Sequence, residues 1–154
     1  MKLPAKMVRR GPADLLLAAE ALVLLAFYRV CLVLIPVRVI LRSIARAQPP
    51  AKPENAAMEA VKSPASQRDL QLARRVQWAV CAVTRHSVVE FVCFPQTLAG
   101  YTMLRRRGVA STMVYGVARS PQGELIAHTW LMVGDGFVTG GEESHGFAPV
   151  ERWT

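Results

Sequence analysis

Two side chains stand out as able to do chemistry, Cys93 and His128. Cys93 opens the run Cys-Phe-Pro-Gln, and Pro95 suits the first turn of a helix, where its missing N–H is not needed. A thiol at a helix start faces unpaired amides and the positive end of the helix dipole, which together favour the thiolate. The same amides suit an oxyanion, with the Cys93 amide first among them. His128 lies mid-strand, in Ile126–Trp130. A cysteine at a helix start, a histidine on a later strand and then an acid or amide form a working order. The imidazole can take the thiol proton while the third group orients the ring. The chemistry expected is acyl transfer through a thioester.

The third group is the open member. Asp135 lies seven residues beyond His128, and odd spacing puts it on the opposite face of an extended strand. A hairpin turn of two or three residues sets His128 across from Gly141 or Glu142. By register Glu142 is therefore the nearest acid and takes the orienting role, with Glu143 next and Asp135 as second choice. A backbone carbonyl, a water or a dyad without an acid also fits. The remaining candidates read as structural. Cys31 and Cys81 fall on apolar helix faces, and a free cysteine is commonly a small buried hydrophobe. His86 and His145 read as solvated loop residues. No two histidines share helical i, i+4 spacing and the cysteines form no paired motif, so no metal or other cofactor is expected.

Several elements must position this pair. Ser66 with Asp69 forms a capping-box start, and Leu72, Val76, Ala79, Val80 and Val83 then lie on one helical face. After a turn at Arg85–Ser87, the helix opened by Cys93 runs to Arg105–Arg107 and stops at Gly108. Basic residues in a last turn and glycine beyond it are stop signals. The period then changes. Val109–Arg119, Glu124–Val133 and Phe137–Thr139 read as strands, joined by turns at Ser120–Gly123 and Gly134–Gly136, with an irregular tail from Gly140. The fold class is α+β: helices first, then a small antiparallel meander.

The chain has 154 residues, room for one domain and a small accessory segment. Three divisions are expected: a basic, apolar helical segment over 1–47, a Pro/Ala-rich linker over 48–65, and the catalytic domain over 66–154. Within the first 50 residues eight Lys/Arg face only Asp14 and Glu20. Positive charge therefore gathers at one end, suited to a membrane surface, an acidic peptide or an acidic partner. Aromatic side chains do not interleave with the basic ones, so nucleic acid is not an expected partner. Three unpaired cysteines suit a reducing compartment, and a cytoplasmic location is expected. Leu15–Ile35 is apolar and long enough to span a bilayer. Glu20 and Arg29 interrupt it, at about 2.5–3.5 kcal/mol each near the centre of a membrane helix. Residues 13–45 therefore read as helices broken at Pro36 and buried against the catalytic domain, with peripheral membrane contact left open.

Taken together, Cys93–Thr112, Val114–Val117, Ala127–Leu131 and Val138–Gly141 closely resemble the lasso peptide maturation proteases. These B proteins are members of a transglutaminase-like, papain-like superfamily. The pattern is a cysteine, a helix ending in Leu-Arg-Arg-Arg-Gly, a Gly-Val strand and an Ala-His-x-Trp strand with its hairpin. It covers about residues 70–152. The helical first 50 residues resemble the front end of the short, stand-alone members. The resemblance implies a papain/transglutaminase-like core with Cys93 as nucleophile and His128 as base. It also implies a leader peptidase acting on a ribosomally made precursor peptide. Its implied partners are a small leader-recognition protein and an ATP-dependent, asparagine-synthetase-like cyclase. The family usually carries an Asp about a dozen residues after the histidine, and Gly140 stands there in this chain. A transglutaminase-like acyltransferase and a catalytically silent scaffold of the maturation complex are the alternative readings.

Overall fold

The computed structural model describes residues 11–35, 39, 65–87 and 92–153. The break at Pro36, the basic stretch 40–47, nearly all of the linker and the approach to Cys93 over 88–91 lie outside the described residues. Among the described residues three helices precede a four-stranded antiparallel sheet: α1 (Pro12–Leu34), α2 (Gln67–His86) and α3 (Cys93–Arg105), then β1 (Thr112–Arg119), β2 (Leu125–Val133), β3 (Gly136–Thr139) and β4 (Ala148–Trp153). A 3-10 turn at Ser144–Gly146 joins the last two strands. The class is α+β, as the change of period in the sequence predicts.

Local chemistry accounts for the helix ends. Ser66 Oγ accepts the Asp69 N–H at 3.1 Å, and Asp69 Oδ2 accepts the Ser66 N–H at 3.3 Å, which closes a capping box at the start of α2. At the far end of α3, Gly108 takes a φ of +69°. Its amide and that of Val109 then return to the carbonyls of Arg105 and Leu104.

Strand order is β3-β2-β1-β4. The tail, read from sequence as irregular, instead supplies β4, which pairs with β1 from Met113↔Trp153 to Val117↔Ala148. Pro149 and the charged pair Glu151–Arg152 disguise it, because an edge strand tolerates both proline and exposed charge. Val109, Ala110 and Ser111 precede β1 rather than joining it.

Helices α2 and α3 pack against the sheet, and α1 packs on these two helices. Ala73, Val76, Ala79 and Val80 of α2 meet Leu98, Ala99, Met103 and Leu104 of α3, and Met113, Leu131 and Val133 close the core from the sheet. Helix α1 adds a stripe of Leu17, Ala21, Leu24 and Leu25, at i, i+4, i+7 and i+8. Burying each of those leucines contributes about 1.5–3 kcal/mol. Polar contacts fix the helix in register. Arg75 Nη2 lies 2.9 Å from Asp14 Oδ1, Arg107 Nη2 lies 2.6 Å from Glu20 Oε2, and the Tyr28 and Thr102 hydroxyls are 2.7 Å apart. Glu20 thus answers to the basic end of α3, and the Arg107 hydrogen bond holds its carboxyl below the ordinary value of 4.5.

Candidate active site

Cys93 is the first residue of α3, and Val92 before it provides no side-chain cap. Nothing polar from that position competes for the first-turn amides. The helix is held against β2 at close range. A Cβ on Gly100 would come 2.9 Å from Leu131 Cδ2, so a larger residue there would have to push that methyl aside. One turn nearer the start, Thr97 Oγ1 donates to the Thr129 carbonyl at 3.3 Å and sits 3.3 Å from Thr139 Oγ1. From Gly100 to Thr97 the helix thus runs back along β2 from Leu131 to Thr129. Cys93 lies four residues further toward the helix start, about 6 Å at 1.5 Å per residue.

His128 is buried, 7% exposed. Strand alternation sets its side chain and that of Trp130 on the face away from Leu131, with Phe147 packed beside the imidazole. The tip of the ring nevertheless turns to the β3 edge of the strand, where Nε2 lies 2.9 Å from the Gly140 carbonyl oxygen. That edge is also where α3 makes contact. A Cβ at Gly140 would fall 2.5 Å from the Thr129 oxygen, the acceptor for Thr97, and 2.9 Å from His128 Nε2. The first turns of α3 and the imidazole tip therefore converge on one short piece of backbone, Thr129 and Gly140. Among the described residues no hydrogen bond joins Cys93 to His128 directly.

This contact determines the tautomer. A carbonyl oxygen only accepts, so Nε2 carries the hydrogen, and the basic nitrogen of the neutral ring is Nδ1. The imidazole is thus hydrogen-bonded to a backbone carbonyl at the position twelve residues beyond the histidine. Gly140 needs its glycine twice over, for a φ of +68° and for the space a Cβ would take.

The acids fall differently from the register expected. Glu143, not Glu142, stands beside the ring, its Oε2 3.5 Å from Nε2 with the carboxylate 72% exposed. Two local features account for this. A bulge shifts pairing from Met132↔Phe137 to Leu131↔Thr139, and Gly140 then turns the chain out of β3 into the 3-10 turn. Glu142 is felt instead at Cys81 on α2. Burial pushes that thiol up; Arg85 opposes the shift, and the Glu142 carboxylate adds to it. Asp135 lies in the two-residue β2–β3 turn, between Val133 and Gly136. Cys31, Cys81 and Cys93 are all free thiols.

Sequence reasoning did not single out Thr97, Thr129 or Thr139. The signal for Thr97 was present, since a residue four places after a helix-start cysteine shares its face. Among the described residues no group of three or more metal-ligating side chains occurs.

No curated protein and no solved structure matches the chain. A family profile does, described as the transglutaminase-like superfamily and covering residues 31–152. Members of that superfamily are typically enzymes of cysteine-protease or acyltransferase type. A helix-start cysteine and an oriented imidazole are the parts such chemistry needs. Over most of its length, then, this chain belongs to the transglutaminase-like superfamily.

Proposed function

We propose that the chain is a cysteine peptidase that removes the leader from a ribosomally synthesised precursor during lasso peptide biosynthesis. The observation that carries the reading is the convergence of α3 and the His128 imidazole on Thr129 and Gly140. It supports pairing a nucleophile at the start of α3 with a base whose free nitrogen is Nδ1. The motif resemblance around Cys93 and His128 narrows this to leader removal.

In the reaction proposed, His128 Nδ1 accepts the Cys93 thiol proton, and the thiolate attacks the carbonyl at the leader–core junction. First-turn amides of α3 receive the oxyanion. Collapse of the tetrahedral intermediate breaks the C–N bond, and the imidazolium returns its proton to the departing core amine. The leader remains as a thioester on Cys93. Water then attacks it, His128 taking a proton and giving it back to sulfur, and the leader leaves with a free carboxylate. The released α-amine is the substrate for a separate ATP-dependent cyclase, and a small recognition protein presents the leader. The working location is the cytoplasm.

Cys93→Ala tests the reading directly. With precursor, recognition protein and cyclase supplied, cleavage should fall by about 10³-fold or more. Full cleavage by this variant would refute the assignment. Adding a primary amine separates hydrolysis from transfer: a free leader carboxylate by mass spectrometry supports the peptidase, and an amide adduct supports an acyltransferase.

A further inference from the structure

Helix α1 carries an apolar face that the fold does not use. Its docked side is complete, with Leu17, Ala21, Leu24 and Leu25 against α2 and α3 and with Asp14, Glu20 and Tyr28 engaged by Arg75, Arg107 and Thr102. The outer side presents Leu16, Val23, Phe27, Val30 and Leu34, spaced by seven, four, three and four residues, which is a straight stripe along the helix. Leu16 and Leu34 are 72% and 74% exposed. Monomeric soluble proteins rarely leave a contiguous apolar surface of this kind uncovered.

We infer that this face rests on an anionic lipid surface, with α1 lying in the membrane plane. Charge selects the occupant. Among the exposed residues of α1 none is acidic, and the one charge is Arg29. Lys2, Lys6, Arg9 and Arg10 precede the helix, and Arg38, Arg42 and Arg46 follow it. An apolar helix face bracketed by basic residues is the pattern that binds at the boundary of acidic headgroups. The exposed stripe is aliphatic apart from Phe27 and lacks Trp and Tyr, the anchors that dominate protein–protein hot spots. Helix α1 is long and apolar enough to cross a bilayer. Crossing would pull Asp14 and Glu20 from their arginines and strip the core stripe from α2 and α3, so an in-plane position keeps the fold. The inference is independent of the substrate assigned to Cys93.

The test is sedimentation of the full-length protein with vesicles of phosphatidylcholine alone or mixed with phosphatidylglycerol. Binding should appear with the mixed vesicles and weaken several-fold as salt rises. The double variant Val23→Glu with Phe27→Glu should lose binding tenfold or more. Val150→Glu, an exposed position on β4, should bind as the unaltered chain does. Near-UV circular dichroism checks that each variant is folded, and the salt series on the unaltered protein decides the matter if the double variant is not. Sedimentation no greater with mixed vesicles than without them overturns the inference. So does a concentration-dependent dimer, without vesicle binding, that the double variant abolishes, since the face would then belong to a second copy.

Discussion

Helices α1 and α3 are both apolar over most of their length, yet they meet opposite surroundings. Helix α3 is enclosed: Phe94, Thr97, Leu98, Gly100, Tyr101 and Met103 are all buried, on every side of the helix. Helix α1 is buried along one stripe and open along another, and its two acids are tied to Arg75 of α2 and to Arg107 just beyond α3. A helix packed on all sides has no freedom to roll or slide, so the residue at its start is fixed in space. That suits a nucleophile whose attack depends on sub-ångström placement. A helix held by one stripe and a few ion pairs adds stability and leaves a surface available. Substitutions near the start of α3 should therefore cost activity or global stability, and those on the open side of α1 much less.

Among changes on the sheet side, the largest effect belongs to His128, the proposed base. His128→Gln keeps a side-chain donor for the Gly140 carbonyl but removes the basic Nδ1. Cleavage should fall by about 10²–10⁴-fold, the usual worth of a general base, with the melting temperature close to that of the unaltered protein. An activity within twofold would break the link between α3 and the β2 edge on which the comparison depends.

Gly140→Ala should come next. The substitution forces an L side chain into a φ of +68° and drives a Cβ against the Thr129 oxygen and His128 Nε2. The left-handed conformation costs about 1–2 kcal/mol and the overlap adds to it, for about 2–4 kcal/mol in all by urea denaturation. Activity should drop as well, because the imidazole must shift. The same geometry predicts that Gly140→Asp, which places an acid where the lasso proteases usually carry one, fails to improve the enzyme.

Glu20→Gln probes the α1 side. The Arg107–Glu20 pair is partly exposed, so its loss should lower stability by about 1 kcal/mol or less at neutral pH. The pH dependence has a definite sign. Because folding lowers this carboxyl's pKa, the contribution is present above its ordinary value of 4.5 and is lost as pH falls through the lower folded value. The gap between the unaltered chain and the variant should therefore close in acid. A gap that stays constant down through this range would show that the ion pair does not hold α1 in place.

Much of this contrast was legible in the sequence. The capping box at Ser66, the stop at Gly108, the change of period after Val109 and the helix-start cysteine all arise from local rules, and local rules can be read residue by residue. What could not be read was set by non-local geometry. Periodicity gave α1 an apolar character but not which stripe would find α2 and α3. The β2–β3 register assumed an unbroken ladder, and the bulge near Val138 with the turn at Gly140 moved Glu143, not Glu142, to the ring. A backbone carbonyl as orienting group leaves no side chain in the sequence to recognise. Thr97 was hidden for the same reason, since its partner is the main chain of Thr129.

Glu143→Gln is the smallest and most discriminating change. Glu143 and the Gly140 carbonyl both approach His128 Nε2, at 3.5 and 2.9 Å, and they differ in kind. The carbonyl is neutral and fixed by the turn that positions it. The carboxylate is charged but 72% exposed, so solvent screens it and its side chain is free to leave. If the carbonyl orients the ring, removing the charge should change cleavage at neutral pH by no more than about twofold, the equivalent of roughly 0.4 kcal/mol. A fall of tenfold or more would mean that the imidazolium formed during attack relies on Glu143. The site would then be a cysteine–histidine–glutamate triad whose acid closes in from the surface, rather than a pair steered by the backbone.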